Sequence, residues 1–287
     1  MKKQHEKMMM DLQRLMAAQD FQSEDQLRAF MTQMLGKQVP SFPEEALNVS
    51  EQAEDLVLEA YELSAAKAKA KVNKALKLDP DCIHAYEFMG IQEKIAEKAI
   101  PFFEKGIAIG RKKFGGEYLK IHKGLFWGFH ETRPFMRCMQ NYADCLYTIG
   151  KVKESVAILE EMIELNSNDN QGIRDQLLLF LIQLGENDKF VKYAQMFKKD
   201  SLAFPLFNRA LFAFKTEGDS KNAVKQLLKA HSSNKHVAKR LLSNKPITHM
   251  PEYYSIGDEN EADYVAQQSQ IIWKETEGAL DWLKKHT

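Results

Sequence analysis

The sequence predicts an all-α protein, a right-handed solenoid of helical hairpins with an N-terminal helical hairpin and a C-terminal capping helix. Three observations carry that reading. Apolar residues recur at helical rather than strand spacing. Matching helix-start contexts return every 34 residues at Ser155, Lys189 and Ala223. Only eight prolines are spread over 287 residues, while 44% of the chain is hydrophobic, enough to sustain a core.

Residues 1–36 read as a Met-rich hairpin. Met8, Met9, Leu12, Leu15 and Met16 fall on one helical face, and Gln19-Asp20 breaks the pattern. Ser23-Glu-Asp-Gln26 has the form of a capping box for a second helix carrying Leu27, Phe30, Met31, Met34 and Leu35, closed by Gly36. Such a hairpin either packs on the first repeat or reaches out to a partner, and packing is favoured. Gly36, Pro40, Ser41 and Pro43 mark residues 37–50 as a linker. From Glu44 to Glu62 there are seven acidic residues and no basic one, which suits a solvated helix face.

Residues 51–245 divide into about five repeats. In the register of the 34-residue step, Leu159, Tyr193 and Leu227 align, as do Met162, Met196 and Ala230. One helix earlier Ala143, Leu177 and Leu211 align, then Leu146, Phe180 and Phe214. Gly150 and Gly218 mark the turns, with Gly185 one position late. A helix, a Gly-containing turn, a second helix and a polar break in 34 residues is the tetratricopeptide period. Upstream, Ala68, Val72 and Ala75 fit one earlier unit, and Tyr86, Gly90, Ala99, Phe103 and Gly106 another. The spacing from Ala99 to Ser155 leaves room for an insertion at residues 114–133.

In residues 246–287, Pro246 and Pro251 end the last repeat, and a helix from about Glu259 to Leu283 is expected to cap the array. Seven Lys/Arg and two His lie between Lys221 and Lys245 with no acid among them. Asp258, Glu259, Glu261 and Asp263 come next, and the acidic stretch is expected to fold against the basic one.

Forty basic residues balance forty acidic ones, so no overall field points to nucleic acid or membrane. Cys82, Cys138 and Cys145 form no CxxC pair. On one helix Cys138 and Cys145 would lie about 10 Å apart, too far to bridge. Reduced thiols, the lack of an apolar signal core at the start, and no apolar run near ~20 residues suggest a cytoplasmic protein without membrane contact.

Phe126-Trp-Gly-Phe-His-Glu-Thr-Arg-Pro-Phe-Met-Arg137 and Leu165-Asn-Ser-Asn-Asp-Asn-Gln-Gly-Ile-Arg174 resemble strings of a bacterial group of tetratricopeptide-repeat proteins. That group is related to the suppressor-of-tumorigenicity-7 family of animals. The resemblance covers roughly residues 55–260. Phe135 stands where that group has Tyr, and Ser167 where it has Pro; the membrane-spanning portion of the animal relative has no counterpart here. What the resemblance implies is an interaction scaffold, with no enzymatic activity to carry over.

No catalytic residue, cofactor or metal site is read from the chain. His122, His130, Glu131 and Cys138 lie near one another, but without HExxH, paired Cys or a second His at i+4. The glycines at 115, 116, 124 and 128 form no phosphate loop. Glu131 and Arg133, next to Pro134, form a charged pair embedded in aromatics. They are expected to latch the insertion, with Trp127 as apolar anchor and Arg137 as outer rim.

In tetratricopeptide arrays the first helix of each unit lines the concave groove. That register points to Arg137, Gln140, Asp144 and Tyr147 in the third unit and to Gln171, Arg174 and Leu178 in the fourth. Asn208, Phe212 and Lys215 line it in the fifth. A mixed cationic, amide and aromatic groove suits an extended or helical peptide. Asp144 and Leu178 stand where a carboxylate clamp would want Asn, which argues against an acidic chaperone tail. The expected function is therefore a non-catalytic scaffold or adaptor for a protein or peptide partner. The alternatives are a nucleic-acid adaptor using the basic run 221–245, which lacks interleaved aromatics and is disfavoured, and an enzyme with its site at 122–138.

Overall fold

The computed structural model describes residues 2–37, 39–243, 245–247 and 253–287, and among them every regular element is helical. Pro251, expected to end the last repeat, and the acidic Glu252 after it lie outside the described residues. The chain divides into two units, residues 1–151 with 164–168 and residues 152–163 with 169–287.

Unit 1 begins with α1 (Lys2–Ala17) and α2 (Glu24–Met34). Ser23 accepts from the Gln26 N–H at 3.3 Å. The Gln26 side chain, however, accepts from Gln22 N at 2.8 Å, so the predicted box closes one residue early. The two helices have different fates. Met10 and Leu12 of α1 are buried, whereas α2 buries none of its residues. Packing on the first repeat therefore holds for α1 alone.

Next come α3 (Val49–Ala60) and α4 (Ala65–Leu78). A reciprocal capping box starts α3: Glu51 N donates to Asn48 at 3.0 Å and Asn48 N to the Glu51 carboxylate at 2.9 Å. Small residues face each other across this hairpin, Ala53, Val57 and Ala60 against Ala68, Val72 and Ala75.

Then α5 (Ile83–Gln92) and α6 (Ala96–Lys113) form the next hairpin, and α7 (Gly116–His122) with two 3₁₀ turns, Phe126–Gly128 and His130–Thr132, leads into α8 (Arg133–Thr148). Close approach explains two glycines. A Cβ on Gly90 would overlap the Phe103 ring, and one on Gly110 the Phe135 ring, so α6 sits tightly against both α5 and α8.

Unit 2 holds most of α9 (Val152–Leu165), then α10 (Arg174–Leu184), α11 (Asn187–Met196), α12 (Ala203–Glu217), α13 (Lys221–Ser233), α14 (Lys235–Leu241), α15 (Glu259–Glu275) and α16 (Ala279–His286). The 34-residue register is visible in burial. Leu159, Tyr193 and Leu227 are all buried, as are Ala143, Leu177 and Leu211. Each buried leucine contributes about 1.5–3 kcal/mol relative to exposure. Met196 departs from the pattern and is 48% exposed, because α11 ends there.

At the C-terminus the basic run is carried by two helices: Asn234 ends α13 and its side chain caps α14 by accepting from His236 N at 2.9 Å. One expectation needs correction. The terminal helix is also two, since Gly278 takes the left-handed region (φ 74°) between α15 and α16. As a result α15 packs against α14 as one more hairpin, and α16 lays Trp282 on Phe214 with ring centroids 4.5 Å apart.

Acidic and basic stretches meet in part. Arg240 pairs with Asp263 at 2.5 Å and His236 lies 3.6 Å from Glu259. Buried Glu261 accepts instead from Asn234 at 2.9 Å and Gly257 N at 2.7 Å. Lys221, Lys225 and Lys229 stay exposed along one face of α13.

Taken together, the chain is an all-α repeat protein of tetratricopeptide-type hairpins.

Candidate functional site

The densest polar constellation of unit 1 surrounds Arg137 in the second turn of α8. Its Nε and Nη2 donate to the two oxygens of Glu87 on α5 at 2.7 and 2.8 Å, and Nη2 also donates to Glu6 of α1 at 2.9 Å. Glu87 is only 1% exposed. Burial opposes the guanidinium charge, but the carboxylates of Glu87 and Glu6 outweigh it and push the Arg137 pKa up. Arg137 is thus a central strut, not the outer rim of the insertion.

His84, also on α5 and buried, faces the same cluster, with Nε2 3.5 Å from Glu6 and Nδ1 4.0 Å from Glu54. Further along α1, Lys7 reaches Asp55 at 2.7 Å. Arg14 reaches Asp55 at 2.9 Å and Glu51 at 3.4 Å. α1 therefore pairs with residues of α3 and α8 and comes within 3.5 Å of His84 on α5. A cavity of about 320 Å³ opens beside it, lined among others by Met10, Arg14, Glu54, His84, His130 and Glu131.

The insertion is held mainly by aromatic packing. Phe126, 1% exposed, contacts Phe114, Tyr118 and Phe135. Trp127 is half-buried, so the anchor of the insertion is Phe126 and not, as expected, Trp127. Neighbouring aromatics look alike in a sequence, and only the 3₁₀ turn decides which one points inward.

Glu131 and Arg133 do not bond to each other. Arg133 donates from Nε to the Trp127 carbonyl at 3.0 Å and lies over the Trp127 ring, 5.6 Å from its centroid. Glu131 accepts from the Tyr118 hydroxyl at 3.4 Å, and its second oxygen is buried without a partner. Pro134 is buried in the first turn of α8, where its missing N–H costs nothing. Thr132, unforeseen in the sequence, is fully buried and donates to the carbonyls of Phe126 and Phe129. Lys123 pairs with Glu164 at 2.9 Å, and Ser167 N donates to the Gly124 carbonyl at 3.1 Å.

Of the residues considered for chemistry, His130 and Glu131 face the cavity, and burial together with the Arg133 charge lowers the His130 pKa. His122 packs between Tyr118 and Phe129 in tilted and edge-on contacts, with centroids 4.5 and 4.6 Å away. Among the described residues no group of three or more His, Cys, Asp or Glu is placed to hold a metal.

Unit 2 contains a second constellation, at the start of α10. Asp169 takes a left-handed φ of 47° and accepts from Ile173 N at 2.9 Å and Arg174 N at 3.0 Å. Arg174 folds back on it at 2.8 Å and reaches Asp200 from Nε at 2.7 Å. The guanidinium also lies 5.5 Å from the Phe197 ring centroid. Next to it, burial pushes the Asp175 carboxyl up to about 7.

These bonds change the standing of the expected groove residues in unit 2. Arg174 is committed to a clamp within the unit. Asn208 is fully buried and donates to the Asp175 carbonyl at 2.9 Å, joining α12 to α10. Lys215 donates to the Ile182 carbonyl near the end of α10, and Phe212 stacks on Phe190 with centroids 3.9 Å apart. Leu178 is fully buried, and Gln171 lies half-buried in the turn ahead of α10. On α8 in unit 1, Gln140, Asp144 and Tyr147 are half-buried.

No protein-family model matches the chain, and no curated protein matches it either. Among solved structures it is similar to YrrB, described as a TPR protein with an unusual peptide-binding site. The identity is 22% and the TM-score 0.46, over 64% of this chain and 89% of that one. A likeness at that level carries no weight for function, and the hairpins described above define the fold by themselves. No helix among the described residues is long and apolar enough to cross a membrane.

Proposed function

We propose that this protein is a non-catalytic cytoplasmic scaffold that holds a protein or peptide partner against the first helices of its hairpins. The observation that carries the reading is the seat of α1. A segment outside the repeats lies against α3 and reaches α8, held by Glu6 on Arg137, Lys7 on Asp55 and Arg14 on Asp55 and Glu51. A face that already accepts a helix has the shape and charge to accept one from elsewhere. Gln140, Asp144 and Tyr147 extend that face along α8 at helical spacing, and in this reading they contact the partner. Arg174, Asn208, Phe212 and Lys215 serve the partner indirectly, by holding the hairpins of unit 2 in place. Membership in the bacterial group resembling the suppressor-of-tumorigenicity-7 family is part of the same proposal, supported by the two strings at 126–137 and 165–174.

The test is affinity capture from a cell extract with the full chain and with Asp144→Lys and Tyr147→Ala variants. A specific partner retained by the wild type and lost by the variants, with unchanged melting, supports the reading. Equal retention by all three contradicts it. Arg174→Glu is unsuitable here, because it would break the clamp on Asp169 and Asp200.

The exposed lysine row on α13 favours a second reading, a nucleic-acid adaptor. Salt-sensitive retention of nucleic acid that is lost on Lys221→Glu with Lys225→Glu would support that alternative.

A further inference from the structure

Resting on the scaffold reading, we propose that α1 is a detachable in-chain competitor. It covers the unit 1 face until a partner displaces it with an amphipathic helix of the same charge order. That order is a carboxylate, a base at the next position, and a second base seven residues further on, as in Glu6, Lys7 and Arg14.

Three features of α1 support release. First, charge supplies most of its hold. Its buried apolar residues are Met10 and Leu12, each 8% exposed, while its ion pairs reach two separate helices, α3 and α8. Two of its pairs border solvent on one side, since the Lys7 side chain is 29% exposed and that of Glu51 28%, while the Arg14–Asp55 and Arg137–Glu6 pairs lie deeper. Exposed pairs weaken with salt and yield to a competing pair of the same sign.

Second, the segment C-terminal to α1 does not anchor it. No residue of α2 is buried. The chain from Ala18 to Lys37, none of it buried, therefore acts as a tether that lets α1 leave without unfolding a hairpin.

Third, the face beneath is preformed. Arg137 is braced by Glu87 independently of Glu6, and Asp55 and Glu51 belong to α3, whose start is capped by Asn48. Removing α1 leaves Arg137 with one carboxylate, and exposes Asp55 and His84 to a new helix. The occupant is specified by this pattern: Arg137 asks for a carboxylate, Asp55 and Glu51 for two bases, with an apolar residue between them in the place of Met10.

The test uses a fluorescently labelled peptide of residues 2–20 and the full chain, with binding read by anisotropy. Wild type is compared with a Glu6→Lys, Lys7→Glu variant, whose own α1 now meets Arg137 and Asp55 with like charges. Because a tethered helix competes at an effective concentration near millimolar, the variant should bind the peptide at least about tenfold more tightly than wild type. A peptide carrying Glu6→Lys should bind the variant markedly less well.

Should the variant lose its helical circular dichroism, a chain beginning at residue 39 replaces it with the same expected result. Equal affinity of wild type and variant overturns the proposal, and so does indifference to the Glu6→Lys change in the peptide. A wild-type dimer that dissociates when residues 2–37 are removed also overturns it, since the occupant would then be a second copy's α1. Failure of the two proposals is distinguishable. A captured partner whose binding ignores the α1 variant removes only the competitor, while a binding peptide with no captured partner leaves only the scaffold reading in doubt.

Discussion

Arg137 and Glu87 stand 50 positions apart and meet through two parallel hydrogen bonds of 2.7 and 2.8 Å, bracing α8 against α5 in unit 1. Two-point guanidinium–carboxylate contacts fix orientation as well as distance. Glu87 is 1% exposed, so removing Arg137 takes its two-point cationic partner from a buried carboxylate. Arg137→Ala is expected to cost about 3–5 kcal/mol in urea denaturation. Arg137→Met combined with Glu87→Leu should cost less than Arg137→Ala alone, since no buried carboxylate is then deprived of its cation.

A pH effect is expected from Asp175. Burial pushes its carboxyl from the usual 3.8 up to about 7, so the folded chain holds that proton more tightly than the unfolded one. The resulting contribution to stability is fully present below the unfolded pKa and is lost as pH rises through about 7. Other carboxylates titrate over the same range, so the quantity to read is the difference between wild type and Asp175→Asn. Asp175→Asn should be more stable than wild type at pH 8, by at most about 4 kcal/mol, and the difference should shrink towards pH 4.

Tight helix packing makes a sharper contrast between two glycines. Gly110→Ala drives a methyl into the buried Phe135 ring and should cost about 1–3 kcal/mol by thermal or chemical unfolding. Gly128→Ala meets nothing within 4 Å and should be close to neutral. Equal effects would place α6 and α8 further apart than described.

In the insertion, Arg133→Ala loses the bond to the Trp127 carbonyl and the contact with its ring, for about 1–2 kcal/mol. Glu131→Ala loses only a 3.4 Å bond from Tyr118 and should cost no more than about 1 kcal/mol. A double-mutant cycle on the two should show little coupling, in contrast to the behaviour of an ion pair.

The hairpin array was legible in the sequence because burial keeps to a period. Leu159, Tyr193 and Leu227 share a register position, and all three are in the core. Local caps were legible too, in Ser23, though the reciprocal arm went to Gln22. The choice of partner for each charge could not be read. Arg174 sits at a position expected to face a ligand, yet Asp169 and Asp200 are placed to take it. Arg137 likewise finds Glu87 and Glu6, one 50 and the other 131 positions away. Periodicity specifies which face of a helix is apolar, but ion pairs depend on three-dimensional neighbours that no spacing rule encodes. The break of the terminal helix at Gly278 was missed for a different reason: apolar spacing continues across it from Ile272 to Trp282.

The central claim is that unit 1 carries a helix-binding face on which α1 is held chiefly by charge. Hydrogen exchange of the full chain at low and at high salt tests it directly. Amides of residues 6–16 should exchange faster at high salt, while those of α5 and α8 keep their protection. Salt-independent exchange of α1, protected as strongly as α5 and α8, would contradict the claim by making α1 a fixed part of the core.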